Sequence, residues 1–217
     1  MRHPGENAFN AVAKRQLHAA MEQAAARHAT GRLLDIGCGL KPYAALFAPH
    51  VAEHVGVDHE SSPHASTHVD VLADAYSIPL PDASFDTALM GELLEHLERP
   101  ADGLAEAHRL LRPGGKLIVT TPFIWPLHEE PRDFFRYTPH GLRHLLAAAG
   151  FVDVDVQPLS GQWATVATLQ GYALGRTRLG RPLARAIRAW GHLAERLDRR
   201  SPQSWMSWNH LAVAVRP

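Results

Sequence analysis

The run Arg32–Ile36 is short and apolar and is followed at once by Gly37 and Gly39. A buried strand feeding a glycine turn is the segment that most restricts this chain, because it belongs to a sheet covered on both faces. The neighbouring segments agree. Phe9, Val12, Leu17, Ala20, Met21 and Ala24 recur at helical spacing, so 8–28 reads as an amphipathic helix. A short helix over 42–47 is stopped by Pro49; 54–57 reads as a second strand ending in Asp58, 68–71 as a third and 86–90 as a fourth. Leu104, Ala107, His108 and Leu111 mark a helix face, and the RPGG turn at 112–115 hands over to a fifth strand at 116–120. Strands alternating with helices over the first 120 residues predict a parallel sheet between two helical layers.

The C-terminal part reads differently. Thr138 is a candidate N-cap with Pro139 at the first helical position and Gly150 just past the end. Leu142, Leu145, Leu146 and Ala149 form its apolar stripe. Val152, Val154 and Val156 alternate with aspartates as an edge strand does, and 211–215 is the last strand.

In an open α/β sheet, ligands sit beyond the carboxyl ends of the strands, so the loop after the first strand is the place to look. Gly37 and Gly39 allow a tight turn and a close backbone approach. Asp35 ends the first strand, and the third glycine of a dinucleotide fingerprint is absent, with Pro42 in its place. A carboxylate there repels a pyrophosphate but suits a ligand with an ammonium group and no phosphate, such as S-adenosylmethionine (SAM). Asp58, 23 residues after Asp35, is placed to accept both ribose hydroxyls of an adenosine. Asp74, after the third strand, is placed to accept from the adenine amino group.

LLDIGCG, VGVD, LADAYSIPLPDASFDTALMGELLEHL and AHRLLRPGGKLIVTTP, in that order over 31–122, resemble the successive motifs of class I SAM-dependent methyltransferases. The resemblance implies a Rossmann-like α/β fold: a seven-stranded, mostly parallel sheet with helices on both faces and a reversed C-terminal hairpin. It implies that Asp35, Gly37 and Gly39 hold the methionine part of SAM, Asp58 the ribose, and Asp74 with Ala75 the adenine. Met90 and Gly91 are implied on the methyl-donor side. Leu40, Pro42 and Tyr43 replace the small residues commoner after the glycines. The resulting GCGxKPY is similar to a subgroup associated with polysaccharide and natural-product pathways.

Methyl transfer mainly requires that acceptor and methyl be held in line. A general base is needed when the acceptor is a hydroxyl. His96 is one candidate. The loop PFIWPLHEEPRDFFRYTPHG offers another, His128, with Glu129 or Asp133 orienting its imidazole and Arg136 steadying the carboxylate. The alternatives are a structural clamp of Asp133 and Arg136 at i, i+3, or a divalent metal held by His128, Glu129 and Asp133. No metal is expected.

The chain reads as one domain over 1–217: an N-terminal helix to 30, a SAM-binding core over 31–122, an active-site loop over 123–138, and a helical insertion over 163–205. Within that insertion, 176–200 carries eight arginines against Glu195 and Asp198. Such a helix suits an anionic membrane surface or a phosphate-bearing substrate, or else a lid or homodimer helix with solvated arginines.

Composition narrows the function. With 22 basic and 22 acidic side chains there is no global field for nucleic acid, and strand four ends in MGEL rather than the NPPY-type tetrapeptide of amino-methylating enzymes on nucleic acid. The single Cys38, the N-terminus without a signal-peptide core, and the lack of a membrane-length apolar run fit a cytoplasmic protein. A small-molecule acceptor, most readily a hydroxyl of a sugar, lipid-linked glycan or natural product, is the expected partner. RNA or protein methylation and SAM binding without catalysis are the alternatives. Asp35 and the missing third glycine disfavour a nicotinamide reductase.

Overall fold

The computed structural model describes residues 11–62, 68–175, 177, 180–200 and 205–217. Among them seven strands form one sheet in the order β3-β2-β1-β4-β5-β7-β6. Strands β1 (Arg32–Ile36), β2 (Glu53–Asp58), β3 (Val71–Leu72), β4 (Phe85–Gly91) and β5 (Leu111–Pro122) are parallel. Strand β7 (Asn209–Val215) runs antiparallel between β5 and the edge strand β6 (Val152–Pro158). The winding reverses between β1 and β4, which leaves a crevice above their carboxyl ends.

Strand alternation divides the core into two layers. Leu34, Ile36, Ala88, Met90, Leu117 and Val119 face helices α3 (Pro100–Leu110) and α4 (Pro139–Ala148), meeting Leu104, Ala107, Leu142 and Leu146. Leu33, Leu89 and Ile118 face the other way, onto Met21, Ala24 and Ala25 of α1 (Ala11–His28) and Phe47 of α2 (Ala44–Phe47). Burial on both faces is why these strands read as continuous apolar runs.

Local chemistry places the ends. Thr138 Oγ1 accepts the Gly141 N–H at 3.0 Å, and Gly150 takes φ +93° after α4. Helices α5 (Gln162–Gly175) and α6 (Gly180–Arg200) fill the connection between β6 and β7 and pack on each other. Asp198 of α6 caps α5, accepting the N–H groups of Trp163 and Ala164 at 3.0 and 2.8 Å. No described helix is long and apolar enough to cross a membrane.

Three expectations shift. The third strand is Val71–Leu72 rather than 68–71, because the Asp70 carboxylate, not a backbone carbonyl, takes the Gly56 N–H at 2.7 Å. Strand β5 begins at Leu111, paired with Phe85, and its ladder resumes at Lys116 opposite Thr87 after the RPGG excursion. Strand β7 starts two residues before 211, at Asn209. The expected helix start at Ala8, together with Arg176 and Arg178, lies outside the described residues.

Candidate active site

The carboxyl ends of β1, β2 and β4 frame a cavity of about 370 Å³. Gly37 and Gly39 enter it from β1, Asp58 from β2, Asp74 and Ala75 from the turn after β3, Glu92 and His96 from beyond β4, and Glu129, Arg132 and Phe134 from the loop after β5. The glycine loop is tied to the end of β2. Gly37 and Cys38 donate to the Val57 carbonyl at 2.8 and 3.1 Å, and Gly39 donates to Asp58 Oδ2 at 2.8 Å. Gly37 sits at φ +72°, a conformation that favours glycine, and a Cβ there would also press on Leu93 Cδ1 at 2.7 Å.

Asp58 is 9% exposed, and its Oδ1 accepts the His59 N–H at 2.8 Å. Each carboxylate oxygen holds one backbone donor and keeps acceptor capacity for a ligand hydroxyl. Asp74 Oδ1 accepts the Tyr76 N–H at 3.0 Å, which orients it in the same way. Lys41 is turned away from the cavity, its Nζ donating to Asp70 Oδ2 at 2.6 Å and to the His54 carbonyl at 3.3 Å. Among the described residues the lining therefore carries Asp58, Asp74, Glu92, Glu98 and Glu129 against Arg132 as its one lysine or arginine. Such a wall favours a cationic ligand over a pyrophosphate.

Three residues expected at the donor are elsewhere. Asp35 does not line the cavity. It shares a sheet face with His54, and because Gly56 opposite it has no side chain, its carboxylate crosses to the His54 imidazole, 2.9 Å away. Burial raises the Asp35 carboxyl, and the His54 hydrogen bond only partly opposes this. Met90 is fully buried in the sheet core. Gly91 faces Met21 and Tyr43, at 3.4 and 3.5 Å from a Cβ built there. The chain reaches the cavity only after β4 has ended, with Glu92 and Leu93.

The loop after β5 forms a charged knot. Asp133 accepts the His128 N–H at 2.9 Å, and its two oxygens accept from the Arg136 guanidinium at 2.5 and 2.7 Å. Burial would raise the Asp133 carboxyl, but these donors more than reverse it and hold it at about 2. His128 Nδ1 lies 3.3 Å from Asp133 Oδ2 and 3.4 Å from Arg136 Nη2. Burial lowers the His128 pKa, with Asp133 opposing, so the imidazole is neutral at pH 7. His128, Asp133 and Arg136 do not line the cavity; Glu129 does. His96, which also does, packs edge-on against His128 with ring centroids 4.9 Å apart.

The turn after β4 holds what sequence reasoning passed over. Glu92 has φ +54°, lines the cavity, and accepts from Asn209 Nδ2 with both oxygens at 2.8 and 2.9 Å. Glu95, in the 3-10 turn Leu94–His96, is 0% exposed. Burial raises both carboxyls, Glu95 well above its ordinary range with Glu92 adding to it. The signal available was a pair of glutamates inside the apolar run MGELLEHL. The Asn209 contact had no sequence signal, since it joins positions 117 residues apart.

A methyltransferase domain family model matches residues 34–119. An O-methyltransferase of Aspergillus nomiae is 31% identical over 156 residues, covering 60% of this chain and 69% of that protein. The chain belongs to the class I SAM-dependent methyltransferases. The cofactor of this enzyme family is SAM. Probable SAM-dependent methyltransferases of Mycolicibacterium smegmatis and Mycobacterium tuberculosis are 34% and 33% identical over 48% and 63% of this chain. This methyltransferase chain spans about half the length of those two relatives, 44% and 55%. Among solved structures, a SAM-dependent methyltransferase from Archaeoglobus fulgidus superposes with TM-score 0.63 at 19% identity, covering 93% of this chain and 94% of that one. The [4+2]-cyclase SpnF matches with TM-score 0.63 at 23% identity over 100% of this chain and 88% of that one. These two likenesses are of fold.

Proposed function

We propose that the chain transfers the methyl group of SAM to a hydroxyl of a small-molecule acceptor: a sugar, a lipid-linked glycan or a natural product. The observation that carries the reading is the acid-rich cavity at the switch point, with five carboxyl residues, one arginine and two glycines of the first loop on its wall. In this reading the Gly37–Gly39 backbone holds the methionine part, Asp58 the ribose hydroxyls, and Asp74 with Ala75 the adenine. When bound, SAM supplies a methyl carbon on a sulfonium sulfur that retains the electron pair of the broken bond.

The chain's own work is to seat the acceptor and take its proton. His96 and Glu129 on the cavity wall, backed by His128, Asp133 and Arg136, are the proposed acceptor side. His128 is the proposed proton-accepting imidazole of the pair. The names of two relatives, the Aspergillus O-methyltransferase and a malonyl-[acyl-carrier protein] O-methyltransferase of Hahella chejuensis, support oxygen as the acceptor atom. The test is transfer of labelled methyl from SAM to a panel of sugar, glycolipid and polyketide hydroxyls, with ribosomal RNA and mixed protein alongside. Label in a small hydroxyl compound supports the reading. Label in RNA or protein alone, or SAM binding without transfer to any class, overturns it.

A further inference from the structure

We infer that Glu95, His96 and His128 form a site for a divalent transition-metal ion at the acceptor end of the cavity. One carboxylate oxygen of Glu95 and one ring nitrogen of each histidine lie within 4.8 Å of one another. An ion bound at about 2.0–2.2 Å from each donor sets those donors roughly 3–3.5 Å apart, so small side-chain rotations close the set. His96 Nε2 is already 3.8 Å from Glu95 Oε1.

The state of Glu95 is the decisive observation. Its side chain is completely buried, and neither carboxylate oxygen has a hydrogen-bond partner among the described residues. Protonation does not resolve this, because a carboxylic acid there still has an O–H with no acceptor. A cation resolves it directly.

The surroundings hold the two imidazoles as a metal site does. His96 Nδ1 donates to the Arg132 carbonyl at 2.6 Å, which leaves the Nε2 lone pair for an ion. His128 Nδ1 lies 3.4 Å from Arg136 Nη2 and 3.3 Å from Asp133 Oδ2, and Arg136 bonds both Asp133 oxygens, so the pair holds the ring in place from behind. Outer partners of this kind fix the tautomer and aim of metal-bound histidines. The Arg136 charge is matched by Asp133, so Glu95, with Glu129 Oε2 3.8 Å from His96 Nε2, leaves the pocket acidic.

Two imidazoles and a carboxylate suit zinc, iron(II), cobalt(II) or manganese(II) better than magnesium or calcium. Asp133, a ligand in the metal set considered from sequence, instead supports His128 from behind. Because His96 lines the cavity, an open position on the ion would face the acceptor. With the ion in place His128 would act as a ligand instead of as the base: a hydroxyl on the ion would lose its proton to solvent more readily, and its oxygen would bond the methyl carbon as the methyl–sulfur bond breaks and sulfur keeps the electron pair. That catalytic role rests on the proposed methyl transfer; the ion site does not.

The experiment uses untagged, chelator-treated protein titrated with Co²⁺ by visible absorption and with Zn²⁺ by calorimetry. Wild type is compared with Glu95→Gln, His128→Ala and a His96→Ala/His128→Ala double variant. S-adenosylhomocysteine (SAH) affinity is measured on each. The expected result is one equivalent of Co²⁺ with nitrogen-ligated d–d bands in wild type, weakened about 100-fold or more in each variant. SAH affinity should stay unchanged in Glu95→Gln and His128→Ala. Wild type without those bands overturns the site and needs no variant to fold well; so does wild type that binds Zn²⁺ no more tightly than the folded double variant. Metal binding without SAH binding would sink only the donor reading.

Discussion

His210 shows how a single buried side chain ties stability to pH. It is 1% exposed on β7, its Nδ1 has no partner among the described residues, and burial depresses its pKa to about 4, with the Tyr137 backbone opposing the effect and Arg143 adding to it. Unfolded, the imidazole titrates near 6.5. Above that value both states are neutral and the full stability is present. Between 6.5 and 4 only the unfolded chain takes the proton, so stability falls with pH. From pH 7 to pH 5 this costs about 2 kcal/mol, and His210→Gln should remove that slope in urea melts. Identical pH dependence in the two proteins would contradict it. At the acceptor side, His128→Ala should lower turnover roughly 10²–10⁴-fold with SAH affinity unchanged, measured once an acceptor is found. Wild-type turnover in that variant would make the loop a structural clamp. Which of the residues expected at the donor line the cavity follows the direction of the side chain. Asp58 and Asp74 end or follow strands and reach the cavity, whereas Asp35 and Met90 lie within strands whose pleat turns them to His54 and the core.

Elements were more legible than residues because apolar periodicity reports burial directly. The α4 boundaries were readable from Thr138, Pro139 and Gly150, each of which satisfies or ends the backbone ladder locally. Strand β3 was misplaced because a side chain, Asp70, does the work of a ladder partner, and residue patterns do not register that. Helix α6 exposes Arg185 and Arg188 together with Leu183 and Leu193, at 42% and 49% exposure. Arginines beside exposed leucines form an amphipathic surface that anionic lipid would hold. Vesicles with anionic lipid should therefore retain the protein at low salt and release it at high salt, and Arg185→Gln with Arg188→Gln should abolish retention. Equal sedimentation with neutral and anionic vesicles would leave α6 as a lid or a self-association helix.

For the whole molecule, the strand order places the first glycine loop, the ends of β2 and β3, and the turn after β4 around one opening. The part of the lining that Gly37, Gly39, Asp58 and Asp74 supply was legible because each of these residues lies in a contiguous motif. The grouping of Glu95, His96 and His128 was not, because these residues come together only when the loop after β5 folds back, with Phe134 N–H on the Glu95 carbonyl at 2.8 Å. The acid-rich lining predicts that this opening takes SAM rather than a dinucleotide. Calorimetry of the purified protein with SAH and with NAD tests it, alongside Asp58→Ala. Wild type should bind one SAH and no NAD, and the variant should lose about 1.5–3 kcal/mol of SAH affinity as hydrogen bonds to a charged acceptor disappear. NAD binding, or full SAH affinity in Asp58→Ala, would rule out a SAM site held by Asp58.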